Sequence, residues 1–480
     1  MKSTEQFEAV LINPPKDNAK DDYYTEFLPL NLIAIATRLR LAGVKTELID
    51  TLPGERGTEE IKRSISEKKG DLVVGISLYQ TNEKQGLEIA NFCRQIQEET
   101  GRKIQVIIGG VNVTVMGQHY MKKYPGLFDG AVIGHGEDAM VEICQGGEAR
   151  NVITNETLAA NRRVIPFFNT DLDKGFPYDY DDLNLEGYWQ FSDKRFSSRG
   201  SRYSAEDLNR PLLINTHRGC YLSCSEPGER IVRCSFCGHP EFTWKGINPK
   251  QFWGKLQEVM DSTGANCISD LGDNFVGNTT WFKELARNRP NNFPYPFKYI
   301  FASSDKLCDE KIVRLLAEKF GVHAVLNSVE HGDDRCQTAF GKAYTPEQTL
   351  KSLKLLEKYK IASRLSFVIG APRTGDFEGE SKETLKRFLE YAKQLADLQC
   401  IQVILGNILV PSPGSKIWKR MMKEGENRAL YHEMLPTVDL TKITEDFFRE
   451  FTQISREEAD CTMEKIMDLF PEDVIKGDTV

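Results

Sequence analysis

Arg218-Gly219-Cys220, then Cys224, then Arg233-Cys234-Ser235-Phe236-Cys237 is the stretch on which the reading of this chain turns. It places four of the 11 cysteines between positions 220 and 237. The other seven (Cys93, Cys144, Cys267, Cys308, Cys336, Cys400 and Cys461) stand singly. An odd cysteine count in a long chain of intracellular character reads as thiols and metal ligands rather than a disulfide framework. Most of the scattered cysteines read as small buried hydrophobes. The clustered four read as a metal-binding loop, and an apolar run over 212–215 leads directly into it.

Outward from that loop, residues 211–410 alternate short apolar runs with amphipathic stretches. Strands are expected at 212–215, 267–269, 299–302, 323–329, 365–369 and 401–408. Helices are expected between them at 249–261, 280–287, 309–319, 346–359 and 380–396. Six strand–helix units predict a partial (β/α)6 barrel, which places chemistry at the C-terminal ends of its strands. Residues 411–480 are charged and read as a helical C-terminal extension.

Residues 1–150 show the same alternation, with strands expected at 9–13, 45–50, 72–77, 105–108 and 131–133. This predicts a Rossmann-like parallel sheet with helices on both faces. Its glycines and small polar residues follow strand ends: Ser77, Gly109-Gly110 and Gly134-His135-Gly136-Glu137. Open parallel sheets bind ligands at that edge. Residues 151–210, rich in aromatics, Asp and Gly without a clear period, read as a connector packed over both domains.

Composition bounds the function. Hydrophobic residues are 40% and charged residues 28% of the 480, an ordinary globular balance. A net charge of −8 argues against nucleic-acid partners, which need a basic face. The first apolar run, 9–12, is too short for a signal-peptide core. No apolar stretch approaches the ~20 residues that span a bilayer. A cytoplasmic protein without a membrane partner is expected.

The cysteine loop resembles that of the radical S-adenosylmethionine (SAM) family. That family carries three cysteines after the first barrel strand, usually with three and then two residues between them. Here about ten residues are inserted between the two halves. The resemblance makes Cys234 and Cys237 two cluster ligands and Cys220, or alternatively Cys224, the first. Three thiolates would hold a 4Fe-4S cluster and leave one iron open, where the amine and carboxylate of SAM chelate in this family. An electron from the cluster then breaks a C–S bond and releases a 5′-deoxyadenosyl radical. A structural zinc site built from all four cysteines is the alternative.

Further stretches resemble the same family, in order. Ser269 to Phe275 contains Asp270, Asp273 and Asn274, where the family meets the SAM amino group. Asn327 to Asp333 contains Glu330, near the ribose or methionine part, with Gly341-Lys342 at the usual distance. Ser366 to Pro372 contains Ser366 and Gly370, near adenine. Pro411 to Ser415 resembles a closing turn. Taken singly, Asp273-Asn274 reads as a helix-start turn, Glu330 as an ion-pair partner of Lys342, and Gly370 as a turn glycine.

The order Asn13-Pro14-Pro15, Gly75-Ile76-Ser77, Gly109-Gly110 and Gly136-Glu137 resembles the cobalamin-binding domain that precedes many radical SAM barrels. The resemblance gives Ser77, Gly109, Gly110, Gly136 and Glu137 to cobalamin. The loop that supplies a cobalt-ligating histidine in many such domains is here 16–26, and it contains none. A domain that keeps the fold and binds no cobalamin is the alternative.

The implied activity is cobalamin-dependent radical SAM methyl transfer to an unactivated centre of a small-molecule substrate. An electron donor such as flavodoxin or ferredoxin would serve it. Radical rearrangement, cyclisation or epimerisation without methylation is the second reading, and a zinc-bound scaffold without catalysis the third.

Overall fold

The computed structural model describes residues 7–16, 28–51, 57–168, 171–196, 207–220, 234–241 and 244–478. The chain divides into two compact units, one of residues 1–188 with 434–437, the other of 189–433 with 438–480.

The first unit is built on six strands: β1 (Glu8–Asn13), β2 (Thr46–Asp50), β3 (Leu72–Ser77), β4 (Ile104–Gly109), β5 (Gly130–Val132) and β6 (Val152–Ile153). Their order is β2-β1-β3-β4-β5-β6. All pairs are parallel except β5–β6. Every residue of β3 is buried, as a continuous apolar run in a doubly covered sheet requires. Helix Leu30–Leu41 buries Leu30, Leu32, Ile33, Ala36 and Leu39. Gly43 follows it at φ +77°, a conformation that glycine adopts without a Cβ penalty.

Much of the expected connector belongs to this unit. β6 extends its sheet, and Phe176, Tyr178, Tyr180 and Tyr188 are buried. Arg40 pairs with Asp179 and Asp182, and the Tyr188 hydroxyl donates to Asp50. The segment is laid along helix Leu30–Leu41 and β2, with Asp179 N–H donating to Thr37 Oγ1 at 2.9 Å and Asp182 accepting from Leu48 N–H at 2.6 Å, so it has no helix or strand period of its own.

The second unit contains β7 (Pro211–Ile214), the short antiparallel pair β8 (His217–Arg218) and β9 (Lys245–Gly246), then β10 (Cys267–Asp270), β11 (Phe297–Ser303), β12 (Ala324–Glu330), β13 (Ala362–Ile369), β14 (Ile401–Ile408) and β15 (Ile475–Asp478). The large sheet runs β15-β14-β13-β12-β11-β10-β7, parallel throughout. The six expected strands are all present. The seventh, β15, lies in the segment read as a mostly helical extension and was not expected, because Ile475-Lys476-Gly477-Asp478 has one apolar residue and no alternation to announce it.

Local chemistry sets the helix starts. Asn248 caps helix Pro249–Thr263, Asn278 caps Thr279–Asn288 and Asp309 caps Glu310–Glu318, each accepting a backbone N–H. Thr345 and Ser381 form reciprocal capping boxes on Pro346–Lys358 and Lys382–Ala396. Such caps satisfy N–H groups that have no partner within the helix. Trp253 packs among Phe252, Phe293, Phe297 and Phe320 and donates to Leu285 O, so it is core rather than pocket lining. No helix among the described residues is long and apolar enough to cross a membrane.

Candidate functional site

Cys220 follows β8 through Gly219, which sits at φ +81°. The second half of the loop is held from two sides. Ser235 N–H donates to Phe340 O at 2.8 Å, and Ser235 O accepts from Ile417 N–H at 3.1 Å. Phe236 meets Phe340 edge-on, with centroids 5.4 Å apart. A Cβ on Gly238 would lie 2.6 Å from Pro413 O, so the turn over 411–415 closes directly on the loop.

Cys220, Cys234 and Cys237 are all partly exposed, whereas Cys93, Cys144, Cys267, Cys336 and Cys400 are buried. Burial pushes the thiols of Cys93, Cys144 and Cys267 up to about 12, which keeps them protonated and removes them as ligands. The loop thiols keep the access and the donor chemistry that an iron–sulfur cluster needs. Cys224 and the insertion 221–233 lie outside the described residues.

A buried ion pair stands beside the loop. Lys342 Nζ lies 2.7 Å from Glu330 Oε1, with both side chains under a tenth exposed. Burial alone would neutralise this lysine. The neighbouring Cys234 and then Glu330 overcome that and hold it charged, well above its ordinary range. Lys342 Nζ also lies over the Phe236 ring, 5.2 Å from its centroid. Glu330 carries φ +59°, uncommon for a residue with a Cβ.

The other expected residues fall at the ends of the same strands. Asp270 is fully buried, and its oxygens accept from Thr216 N–H at 2.9 Å, Thr216 Oγ1 at 2.8 Å and Gly272 N–H at 3.3 Å. His217 Nε2 accepts from Asn274 N–H at 2.9 Å, and burial lowers the affinity of this ring for a proton. Together Asp270 and His217 tie the segment entering the cysteine loop to the segment leaving β10. A Cβ on Gly272 would enter the His217 ring, so this contact requires glycine. Asn274 is buried, with Nδ2 donating to Ser303 Oγ at 2.9 Å and Oδ1 buried without a partner. Asp273 is more open, 3.6 Å from His239 Nε2.

Register builds the interior of this unit. Ser303, Ser328 and Ser366 stand level on β11, β12 and β13, with Phe301, Leu326 and Arg364 one layer below. Phe301, Leu326, Ser328, Arg364 and Ser366 are only partly buried, although each strand is paired on both edges. They therefore line open space. Gly370, at φ +120°, follows β13, and its N–H and that of Ala371 donate to Glu380 Oε2 at 2.5 and 2.7 Å.

Sequence reasoning did not single out His331 or Glu380. With Cys336 they form a buried group whose candidate ligand atoms lie within 4.8 Å of one another. Hydrogen bonding closes this group to a metal. His331 Nδ1 accepts from Asp333 N–H at 3.0 Å, so the proton of the neutral ring sits on Nε2, 2.7 Å from Glu380 Oε1. A metal-bound imidazole donates its other N–H, and here that nitrogen accepts.

In the first unit, Ser77 and Gly109 stand level at the ends of β3 and β4. Ser77 Oγ accepts from Asn31 Nδ2 at 3.1 Å. Gly110 takes φ +111°, and a Cβ there would lie 3.1 Å from Leu78 O and 3.6 Å from Ser77 Oγ. Gly136 precedes helix Glu137–Cys144, and a Cβ on it would touch Ile35 at 3.0 Å; Glu137 is buried. Tyr79 and Val111, flanking the glycine step, are among the exposed large apolar side chains. The protein's own atoms fill the Cβ space at Gly110 and Gly136, whereas Gly109 has nothing nearer than Val132 at 4.0 Å; open backbone there, beside exposed Tyr79 and Val111, fits a large, flat ring. His135 sits with its ring edge-on to Phe168, in the loop expected for it.

Residues 20–144 match the family described as the B12 binding domain. The fold is similar to that of the cobalamin-dependent SAM radical enzyme OxsB, solved with aqua-cobalamin and SAM bound. The TM-score is 0.64 at 17% identity, over 92% of this chain and 56% of that one, so this chain spans little more than half the length of OxsB. It is also similar to that of the radical SAM methyltransferase TsrM of Kitasatospora setae, solved with tryptophan and a SAM analogue. Here the TM-score is 0.62 at 17% identity, over 87% of this chain and 77% of that one. An uncharacterized methyltransferase of Pyrococcus horikoshii is 23% identical over 414 residues, 85% of this chain and 82% of its own.

Proposed function

We propose that this protein is a cobalamin-dependent radical SAM enzyme that methylates an unactivated centre of a small-molecule substrate. The observation that carries the reading is the cysteine loop packed against the Lys342–Glu330 pair at the C-terminal ends of parallel strands. The B12-binding match over 20–144 supplies the second cofactor.

Cys220, Cys234 and Cys237 would hold a 4Fe-4S cluster, one iron of which remains open to SAM. The charged Lys342 stands beside Cys234, and a thiolate is the form that ligates iron. Asp273, Asn274, Glu330, Ser366 and Gly370 are the candidate SAM contacts, and Asp270 holds the loop beneath them. Ser77, Gly109, Gly110, Gly136 and Glu137 are the candidate cobalamin contacts. When bound, these groups supply one-electron cleavage of a SAM C–S bond and a transferable methyl group. Phe301 and Leu326 give the deeper layer apolar surface beside the guanidinium of Arg364, while Ser328 and Ser366 above them offer hydroxyls to a polar substrate. Reduction requires a donor such as flavodoxin or ferredoxin.

The absence of histidine from residues 16–26 favours one second reading, radical SAM chemistry without methyl transfer. Metal content tests the cofactors of these readings, and the second holds with or without cobalamin, so an added methyl group on the substrate separates them where cobalt is bound. After anaerobic reconstitution with iron, sulfide and cobalamin, then desalting, the leading reading expects about four irons and one cobalt per chain. Iron without cobalt leaves the second reading, and zinc in place of iron refutes both.

A further inference from the structure

Glu330 lies at the centre of a tight turn. His331 N–H donates to Val329 O at 2.9 Å across it, and φ at Glu330 is +59°. An i→i+2 closure with positive φ is the rarer, strained hand of the γ-turn. Residues held in such conformations persist only where their surroundings fix them, and they concentrate at functional sites.

The surroundings that fix this turn can be named. Gln337 Nε2 donates to Val329 O at 2.6 Å and to His331 O at 2.8 Å. The His331 ring packs on Phe388, with centroids 4.1 Å apart. A Cβ on Gly332 would meet Tyr391 at 2.6 Å, so the turn is pressed onto helix Lys382–Ala396. The residue that reaches beyond the turn is Glu380, just before that helix. One of its oxygens takes the His331 Nε2 proton, and the other takes the amides of Gly370 and Ala371. One buried carboxylate thus fixes both the strained turn after β12 and the glycine turn after β13.

We propose that Glu380 and His331 are positioning residues that hold Glu330 and the Gly370 turn in the one arrangement that accepts SAM. The inference rests on the reading that these strand ends form a SAM site. Neither residue is assigned contact with SAM. They act through Glu330 and through the turn at Gly370 and Ala371, whose amides are engaged by Glu380. A negatively charged acceptor forms stronger bonds to backbone N–H groups than a neutral one, so the carboxylate matters as a charge and not only as a shape.

The test uses the full chain with Glu380→Gln and, separately, His331→Gln. Amide hydrogen exchange over 328–333 and 366–373 is followed in the cluster-free protein. SAM affinity is measured by equilibrium titration after cluster loading, with thermal unfolding and iron content as controls. Both variants are expected to load iron like the wild type. Exchange at Gly370 and Ala371 in E380Q should speed up at least about tenfold, and SAM Kd should rise about tenfold or more in both variants. A folded variant with wild-type exchange and wild-type SAM Kd overturns the proposal, and H331Q decides alone if E380Q fails to fold. A wild-type protein that loads the cluster and binds no SAM refutes the underlying reading instead, which separates the two failures.

Discussion

Lys342 and Glu330 show how single residues carry this site. Two charges with side chains almost fully withdrawn from water are costly unless each satisfies the other. Removing one partner exposes that cost. Lys342→Met should destabilise the second unit by about 3–5 kcal/mol, because it strands a buried carboxylate. Adding Glu330→Gln should recover part of the loss. Urea unfolding of the two single variants and the double variant measures this coupling, and strictly additive losses would mean that the pair does not act as a unit. The sequence made both residues visible as a candidate pair. It did not reveal the positive φ at Glu330, nor that Asp270 is engaged beneath the loop. Those depend on which neighbours the strand ends bring together. The His331–Glu380 contact was hidden for the same reason, since 49 positions separate the two in the chain; His331 lies in the 327–333 stretch, but only Glu330 was picked out of it.

At the scale of elements, periodicity and capping made most of the molecule legible. The helices starting at Pro249, Thr279, Glu310 and Pro346 begin within one residue of where sequence reading put them, because Asn248, Asn278, Asp309 and Thr345 each accept a backbone N–H at the start. Short elements were missed: the two-residue strands β8 and β9, β15, and the seven-residue helix Asp334–Phe340, which Asp333 caps and Gly341 ends but which is too short to show a period. The glycine step after β4 was legible as a pattern, and its geometry gives a prediction. Gly110 combines φ +111° with ψ 176°, a region almost closed to residues with a Cβ. Gly110→Ala should cost about 1–3 kcal/mol and press its methyl toward Leu78 O and Ser77. Cobalamin titration should show weakened binding, with iron loading in the other unit unchanged. Wild-type cobalamin affinity in a folded G110A protein would remove this edge as the cobalamin site.

For the whole molecule, the two parallel sheets followed from alternating strands and helices, and the pairing of their motifs suggested the cofactors. The extent of the second sheet did not follow. β15 covers the edge of β14 from Val403 to Gly406, although it comes from the end of the chain. β15 is itself outermost, so it puts a short edge strand in place of the longer β14, and short edge strands are poorer templates for pairing with other molecules. A chain ending at Phe470 should therefore fold less stably and self-associate, read by size exclusion and light scattering. A monodisperse truncated protein of wild-type stability would show that β15 is dispensable. The claim that unifies the cysteine loop, the Lys342–Glu330 pair and the strand-end turns is reductive cleavage of SAM. It is tested most directly by incubating the anaerobically reconstituted protein with SAM and a low-potential reductant and measuring 5′-deoxyadenosine. The account predicts release that depends on the cluster and disappears in Cys237→Ala. A fully iron-loaded wild-type protein that leaves SAM intact would contradict it.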